Sequence, residues 1–227
     1  MIDITYYGHS CFMVEIDDVK LLFDPFISGN EAAASIDIAA IKPDYILLSH
    51  GHQDHILDAE NIAKQSGAPI VSNFEIASWY QGQGIDNAIP MNHGGTVDCR
   101  GVKVKMTNAV HTSSFPDGSY AGQPAGFVVK GKNKAFFYSG DTALHTDMQL
   151  IGQSECICFA ILCIGDHFTM GTKDAIRAAE FVGTNKIVGM HYDTFPPIEI
   201  DHEAAIEEFK QNGFSLKLPE IGETFSV

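Results

Sequence analysis

The feature that most constrains this chain is the segment 49–55, which reads Ser-His-Gly-His-Gln-Asp-His. It follows directly on the apolar run 45–49, which is typical of a buried strand, and it precedes a short helical pattern at 59–65. Three imidazoles and a carboxylate within six residues supply nitrogen and oxygen donors that suit zinc, iron or manganese. The segment therefore predicts a metal site at the end of a strand, where α/β folds place functional residues.

Further donors stand at the ends of other predicted strands. A single His or Asp in such a position is most often a structural polar group that has found a hydrogen-bond partner. Several of them, in a chain that also carries the histidine-rich segment, predict one shared metal site. The four additional donors, each after an apolar run, are Asp24, His111, Asp141 and His191.

The order of elements indicates the fold class. Short apolar or alternating runs predict several strands first, and strands then alternate with helices in a pattern that recurs loosely in both halves. Periodicity alone supports only α/β or α+β, and the recurrence favours a four-layer αββα sandwich of two mixed sheets with external helices. No linker or low-complexity tract interrupts the chain, so we expect a single domain over 1–227. Thr172 is expected to cap a helix that ends near Val182.

Charge and composition exclude some classes of partner. The chain carries 29 acidic and 14 basic residues, a formal charge of −15, which argues against binding to nucleic acid or to anionic lipid. There is no signal-peptide pattern and no apolar stretch near the ~20 residues that span a bilayer. Five cysteines without CxxC spacing fit a reducing compartment. We expect a cytoplasmic protein with a small-molecule substrate, and self-association into a homo-oligomer stays open.

In these donors the sequence resembles the metallo-β-lactamase superfamily. Asp24, the His50-x-His52-x-Asp54-His55 motif, His111, Asp141 and His191 occur in that family's order over residues 5–195. The segments 8–12 (GHSCF), 168–171 (FTMG) and 191–197 (HYDTFPP) look like a branch of small metal-dependent hydrolases similar to the ascorbate-phosphate lactonases. The resemblance implies the αββα fold with a two-metal site in the cleft between the sheets.

The resemblance also implies a role for each donor. Seven residues would hold the metals: His50, His52 and His111 the first, Asp54, His55 and His191 the second, with Asp141 as a bridge. Asp24 would orient a ligand through a hydrogen bond, since such carboxylates fix the tautomer of a histidine ligand. Asp54 would also orient the attacking water. His9 is a candidate catalytic or substrate contact, with a structural imidazole equally open, and His167 and Thr169 are candidate substrate contacts.

The residue types favour hydrolysis. Redox di-iron members of the superfamily carry a carboxylate where this chain has His52. Two divalent ions ~3.5–4 Å apart, most consistent with zinc and with manganese or iron as alternatives, would hold a bridging hydroxide that attacks an ester, lactone or phosphodiester of a small molecule. No arginine lies in the expected rim loops 26–34, 112–123 and 194–200, so no bidentate phosphate clamp is evident.

Three alternatives stay open. An RNA-processing nuclease of the same fold is opposed by the acidic charge, and an iron-dependent redox enzyme is opposed, in its di-iron form, by His52. A non-catalytic metal-binding or scaffold protein is opposed by the intact set of donors.

Overall fold

A computed structural model describes residues 1–227, which form fourteen strands and six α-helices. The strands are β1 (Ile2–Gly8), β2 (Cys11–Ile16), β3 (Val19–Phe23), β4 (Tyr45–Leu47), β5 (Ile70–Asn73), β6 (Ile89–Met91), β7 (Thr96–Cys99), β8 (Val102–Asn108), β9 (Ala125–Lys130), β10 (Ala135–Tyr138), β11 (Ile157–Cys163), β12 (Lys186–Met190), β13 (Ser215–Lys217) and β14 (Thr224–Ser226). The helices are α1 (Gln53–Ile56), α2 (Ala59–Ser66), α3 (Phe74–Gly82), α4 (Met148–Ser154), α5 (Thr172–Val182) and α6 (His202–Gln211). None of the helices is long and apolar enough to cross a membrane.

The strands form two mixed sheets of seven strands each. The first has the order β14-β1-β2-β3-β4-β5-β6, and the second has the order β13-β12-β11-β10-β9-β8-β7. In the first sheet β14 to β3 pair antiparallel and β3 to β6 pair parallel. The second sheet repeats this division, with β13 to β10 parallel and β10 to β7 antiparallel. The predicted α/β sandwich of two mixed sheets is therefore confirmed.

Side-chain alternation explains how each sheet buries both of its faces. Leu21 and Phe23 of β3 point into the core between the sheets, whereas Leu22 packs with the residues of α2 and α3 on the other side. The same alternation continues in β4, where Ile46 joins the outer group and Leu47 joins the inner core. A strand buried on both faces reads as a continuous apolar run, which is why the sequence shows no polar alternation here.

Aromatic rings fill the space between the sheets. Phe23 of the first sheet lies 4.6 Å from Tyr138, 6.0 Å from Phe136 and 6.3 Å from Phe127 of the second sheet, measured between ring centroids. All four side chains are fully buried. One apolar core thus joins both sheets, which supports a single domain over 1–227, although that boundary stays a prediction.

Two local expectations differ from the structure. Gly171, not Thr172, is the N-cap of α5, and the Thr172 hydroxyl instead donates to Glu208 of α6. The extended backbone of Gly171 provides the cap without a side chain. The short helix α1 begins inside the histidine-rich segment, with His52 as its N-cap, whereas the sequence indicated a helix only from residue 59.

Candidate metal centre

The donors gather where strands of both sheets end. Asp24 follows β3, His50 lies three residues after the end of β4, and Asp54 and His55 are on α1. Asp141 and His191 follow β10 and β12 of the second sheet. The carboxyl ends of these strands meet at one edge of the sandwich, so residues far apart in the sequence converge on a single cluster.

Backbone strain marks the same edge. Asp24, His9 and His191 have positive φ angles of 40°, 55° and 58°, which non-glycine residues adopt at a cost of about 1–3 kcal/mol each. The His191 amide donates to the His9 carbonyl at 2.9 Å, so a backbone hydrogen bond joins two of these strained positions. Such outliers persist only where the surrounding structure enforces them, and they cluster at functional sites.

The first group of donors comprises His50, His52 and His111, whose ligand atoms all lie within 4.8 Å of one another. The two closest ring nitrogens, His50 Nε2 and His52 Nδ1, are 2.9 Å apart. The other nitrogen of His50 faces the Ser49 hydroxyl at 2.9 Å. Three imidazole nitrogens that converge in this way match the three-histidine donor set of a zinc ion.

The second group comprises Asp54, His55 and His191, together with His9. Asp54 Oδ2 lies 3.9 Å from Nε2 of both His55 and His191. His55 and His191 are buried, whereas the Asp54 side chain is 28% exposed, so solvent reaches this group from the Asp54 side.

Asp141 stands between the two groups. Its Oδ2 lies 2.9 Å from His191 Nε2 and 3.3 Å from His55 Nε2 in the second group, and 3.7 Å from His111 Nε2 in the first. Asp141 Oδ1 is buried without a hydrogen-bond partner, and so is His55 Nε2. Buried polar atoms normally have partners, so these two atoms fit metal ligation. The donor set therefore suits divalent metal ions.

Asp24 positions residues of the cluster through hydrogen bonds. It is fully buried and accepts hydrogen bonds from the Ser49 amide at 2.7 Å, the Ser49 hydroxyl at 2.5 Å and the Tyr138 hydroxyl at 2.7 Å. It also lies 2.9 Å from His55 Nδ1. A carboxylate here requires the proton on Nδ1, which leaves the Nε2 lone pair of His55 directed at the cluster.

The protonation states of the first donor group and of Asp141 fit metal binding. Burial lowers the pKa of His50, His52 and His111, so these imidazoles stay neutral, which is the form that binds metal. Burial alone would raise the pKa of Asp141, but His191 and His55 hold it well below its usual range. Burial opposes charge on His55, yet the carboxylates of Asp141 and Asp54 outweigh it and raise its pKa, so a metal ion that binds His55 would displace a proton. The centre of the cluster is therefore anionic and suited to a cation.

His9 connects the second group to the opposite loop. Its Nε2 lies 3.1 Å from Asp54 Oδ2, and its Nδ1 lies 2.8 Å from the Thr194 hydroxyl. Burial lowers the pKa of His9 to about 4, so the ring is neutral. If Nε2 carries its proton, His9 donates to Asp54 and accepts from Thr194, which satisfies both ring nitrogens.

The remaining predicted contacts lie outside the donor groups. His167 is exposed and lines a cavity of about 890 Å³ together with Asp166 and residues of α6. Thr169 is half-buried, with its hydroxyl 3.4 Å from the Met170 carbonyl. Their roles as substrate contacts stay predictions. Sequence reasoning missed Ser49, Tyr138 and Thr194, and only Ser49, beside His50, stood in the motif itself.

Comparison with known proteins agrees with this geometry. A family model described as a β-lactamase superfamily domain matches residues 20–192. A UPF0173 metal-dependent hydrolase of Christiangramia forsetii is 54% identical over 225 residues, which are 99% of each chain. The solved structure of Igni18, a metallo hydrolase from the archaeon Ignicoccus hospitalis, superposes with a TM-score of 0.90 at 33% identity, covering 100% of this chain and 99% of the other.

The fold and the His/Asp cluster define a class, the metal-dependent hydrolases of the metallo-β-lactamase superfamily. Within that class, the chain belongs to the UPF0173 family of metal-dependent hydrolases. The predicted superfamily and the predicted enzyme class are both confirmed.

Proposed function

We propose that the enzyme works with two divalent metal ions, of which zinc fits the donors best, and hydrolyses an ester, lactone or phosphodiester bond of a small molecule. The observation that carries this proposal is the position of Asp141, whose Oδ2 lies within 3.7 Å of nitrogens from both donor groups. A carboxylate oxygen so placed can bridge two ions. The first ion would be held by His50, His52 and His111, and the second by Asp54, His55 and His191.

When bound, the ions supply a hydroxide nucleophile at neutral pH and polarise the scissile group of the substrate. The chain supplies the rest. Asp24 holds His55 in the tautomer that offers Nε2, and His9 holds Asp54 through a hydrogen bond at 3.1 Å. Asp54, partly exposed, faces the solvent side and orients the attacking water. A carboxylate that also ligates a dication is a weak base, so we assign Asp54 an orienting role.

The charge of the chain supports a small-molecule substrate. The acidic charge of −15 disfavours a nucleic-acid partner, and no helix of the protein could span a membrane. We propose a cytoplasmic enzyme on the sequence grounds given above. Self-association into a homo-oligomer stays a prediction.

The test combines metal analysis with a substrate panel. The protein purified without chelator is analysed for bound metal and assayed on esters, lactones and phosphodiesters, before and after treatment with EDTA. We expect chelation to abolish turnover, and His52→Ala to do the same. His93→Ala is the matched control, because His93 bonds to the Pro124 carbonyl outside the donor groups. Turnover that survives chelation would contradict the proposal.

A further inference from the structure

The metal centre is surrounded by six segments, which we name the metal edge. Each segment follows a strand that ends at the centre, namely β3, β4, β8, β10, β11 and β12. The segments are residues 24–34, 48–58, 109–124, 139–147, 164–171 and 191–201. Any substrate that reaches the donors must pass between these segments, so their side chains decide which substrates are admitted.

The metal edge contains no lysine and no arginine. None of the chain's 14 lysines and arginines lies in any of the six segments, whereas every segment carries at least one Asp or Glu. The first basic residue beyond them is Lys173, exposed on the first turn of α5. At the opposite edge of the sandwich, the Arg100 side chain pairs with Asp44 and the Lys20 side chain pairs with Glu15. A substrate with a phosphate or carboxylate away from the scissile bond would find no lysine or arginine here, and exposed carboxylates such as Asp117, Asp166 and Glu199 would repel it.

Exposed apolar residues gather at the same edge. The chain has eight large hydrophobic residues with exposed side chains, and four of them, Leu57, Val110, Tyr120 and Phe168, belong to the metal edge. A fifth, Phe74, follows β5 beside the segment 109–124, because Asn73 bonds to the carbonyls of Ala121 and Gln123. Apolar surface concentrated around a functional site marks a place where an apolar ligand group is bound.

One apolar wall stands directly beside the second donor group. The rings of Phe26 and Phe195 each lie 5.6 Å from the His9 ring and 6.2 Å from each other, between centroids. Leu57, two residues after His55, packs with Phe26 over Gly29, where an added Cβ would clash with both side chains. Since His9 contacts Asp54, this wall of Phe26, Leu57 and Phe195 lies beside the second donor group. Phe26 is buried, so Leu57 and the half-buried Phe195 provide the accessible part of the wall.

We propose that the substrate is an uncharged ester or lactone whose apolar substituent packs against the wall of Phe26, Leu57 and Phe195. This inference rests on the hydrolytic function proposed above. Of the three bond types it selects the ester and the lactone, because an anionic phosphodiester would have to pass the acidic residues of the metal edge. Water adds across the acyl C–O bond, the carbonyl carbon gains the hydroxyl group, and the alkoxy oxygen leaves with the proton as an alcohol. No other reactant is needed.

The first test compares substrates that differ only in length or charge. With the holoenzyme, kcat/KM for 4-nitrophenyl acetate, butyrate and hexanoate is expected to rise about three- to fourfold per added methylene until the wall is covered. The 4-nitrophenyl monoester of adipate has the same chain length and carries a distal carboxylate. Its kcat/KM is expected to be at least tenfold lower than that of the hexanoate. An adipate ester or bis(4-nitrophenyl) phosphate that is turned over as well as the hexanoate would overturn the proposal.

Variants then locate the effect. Phe195→Ala is expected to weaken the rise of kcat/KM with chain length. Leu57→Lys is expected to raise turnover of the adipate monoester. Metal content is measured for both variants. Leu150→Ala is the matched control, because Leu150 is an exposed apolar residue of α4 outside the metal edge. If kcat/KM of Phe195→Ala still rises with chain length as in the wild type, this wall does not bind the substituent.

A binding measurement separates this inference from the hydrolytic function. Hexanamide and its distal carboxylate analogue, adipamate, are compared by the thermal shift that each gives the holoprotein, which requires no turnover. If no ester is cleaved but hexanamide stabilises the protein more than adipamate does, the hydrolytic proposal fails and the apolar wall stands. If adipamate stabilises the protein as much as hexanamide or more, the inference about substrate class is wrong.

Discussion

At the scale of single residues, buried groups set the geometry of the ligands without binding metal. Asp24 is the clearest case, since it collects four hydrogen bonds within 2.9 Å and fixes the tautomer of His55. Removal of such a carboxylate commonly costs 10- to 100-fold in metal affinity or activity.

We therefore predict that Asp24→Asn weakens metal binding by about 10- to 100-fold, because an amide can present a donor to His55 and so release its tautomer. Competition with a calibrated chelator measures the affinity. Asp86→Asn is the control, since Asp86 is exposed. Wild-type affinity in Asp24→Asn would show that the tautomer of His55 is fixed by something else.

His9 allows a sharper distinction between two roles. If His9 positions Asp54 by a hydrogen bond, His9→Ala should keep both metal ions while lowering affinity for the second by roughly 10- to 100-fold. If His9 is itself a ligand, the second ion should be lost altogether. Metal stoichiometry of the variant, measured at saturating zinc, decides between these outcomes, and the 3.1 Å approach of its Nε2 to Asp54 favours the first.

At the scale of secondary-structure elements, β3 serves two purposes. Phe23 fills the space between the sheets, and the next residue, Asp24, enters the metal cluster with a positive φ. The packing of this strand end therefore determines the position of Asp24, which contacts His55 Nδ1.

Phe23→Ala is predicted to lower the free energy of unfolding by about 3–5 kcal/mol, because it leaves a cavity among three buried aromatic rings. Urea denaturation measures the loss. Ile206→Ala, on the exposed face of α6, should change stability by no more than about 0.5 kcal/mol. A loss below about 1 kcal/mol in Phe23→Ala would show that the core relaxes around the missing ring.

The sequence predicted most of the strands, and the residues proposed from it as donors lie together in the structure, because both depend on local pattern. Apolar runs revealed the strands, and each donor stood immediately after or close to such a run. The helix α1 was missed since its four residues, Gln53–Ile56, carry no apolar periodicity and overlap the motif itself. The Tyr138 and Thr194 hydroxyls were missed because their partners, Asp24 and His9, lie 114 and 185 residues away in the chain. No local signal reports a contact of that kind.

At the scale of the whole molecule, the metal centre joins loops from both sheets, so metal binding should stabilise the entire fold. A ligand that binds only the folded state at 100 times its Kd adds about 2.7 kcal/mol. For a chain of this size, each kcal/mol raises Tm by about 2–4 °C. We predict that removal of the metal lowers Tm by at least about 5 °C, and that added zinc restores it. Calorimetry of the chelated and reloaded protein measures the change, and equal Tm values would contradict a structural link between the sheets through the metals.

The acidic charge of the molecule is partly concentrated at the metal centre. Part of the −15 charge belongs to Asp54 and Asp141, whose carboxylates face the donor cluster, with Asp24 beneath them. Bound divalent ions would offset part of that charge. The outer rim of the metal edge would stay acidic, which is why the substrate class is inferred to be uncharged.

Native mass spectrometry of the zinc-loaded protein tests whether two ions share one centre through Asp141. We expect two zinc ions per chain in the wild type, one in His52→Ala through loss from the first group, and one in His191→Ala through loss from the second. In the doubly substituted chain, His52→Ala with His191→Ala, we expect none. A wild-type protein that saturates at a single zinc ion would contradict the dinuclear centre.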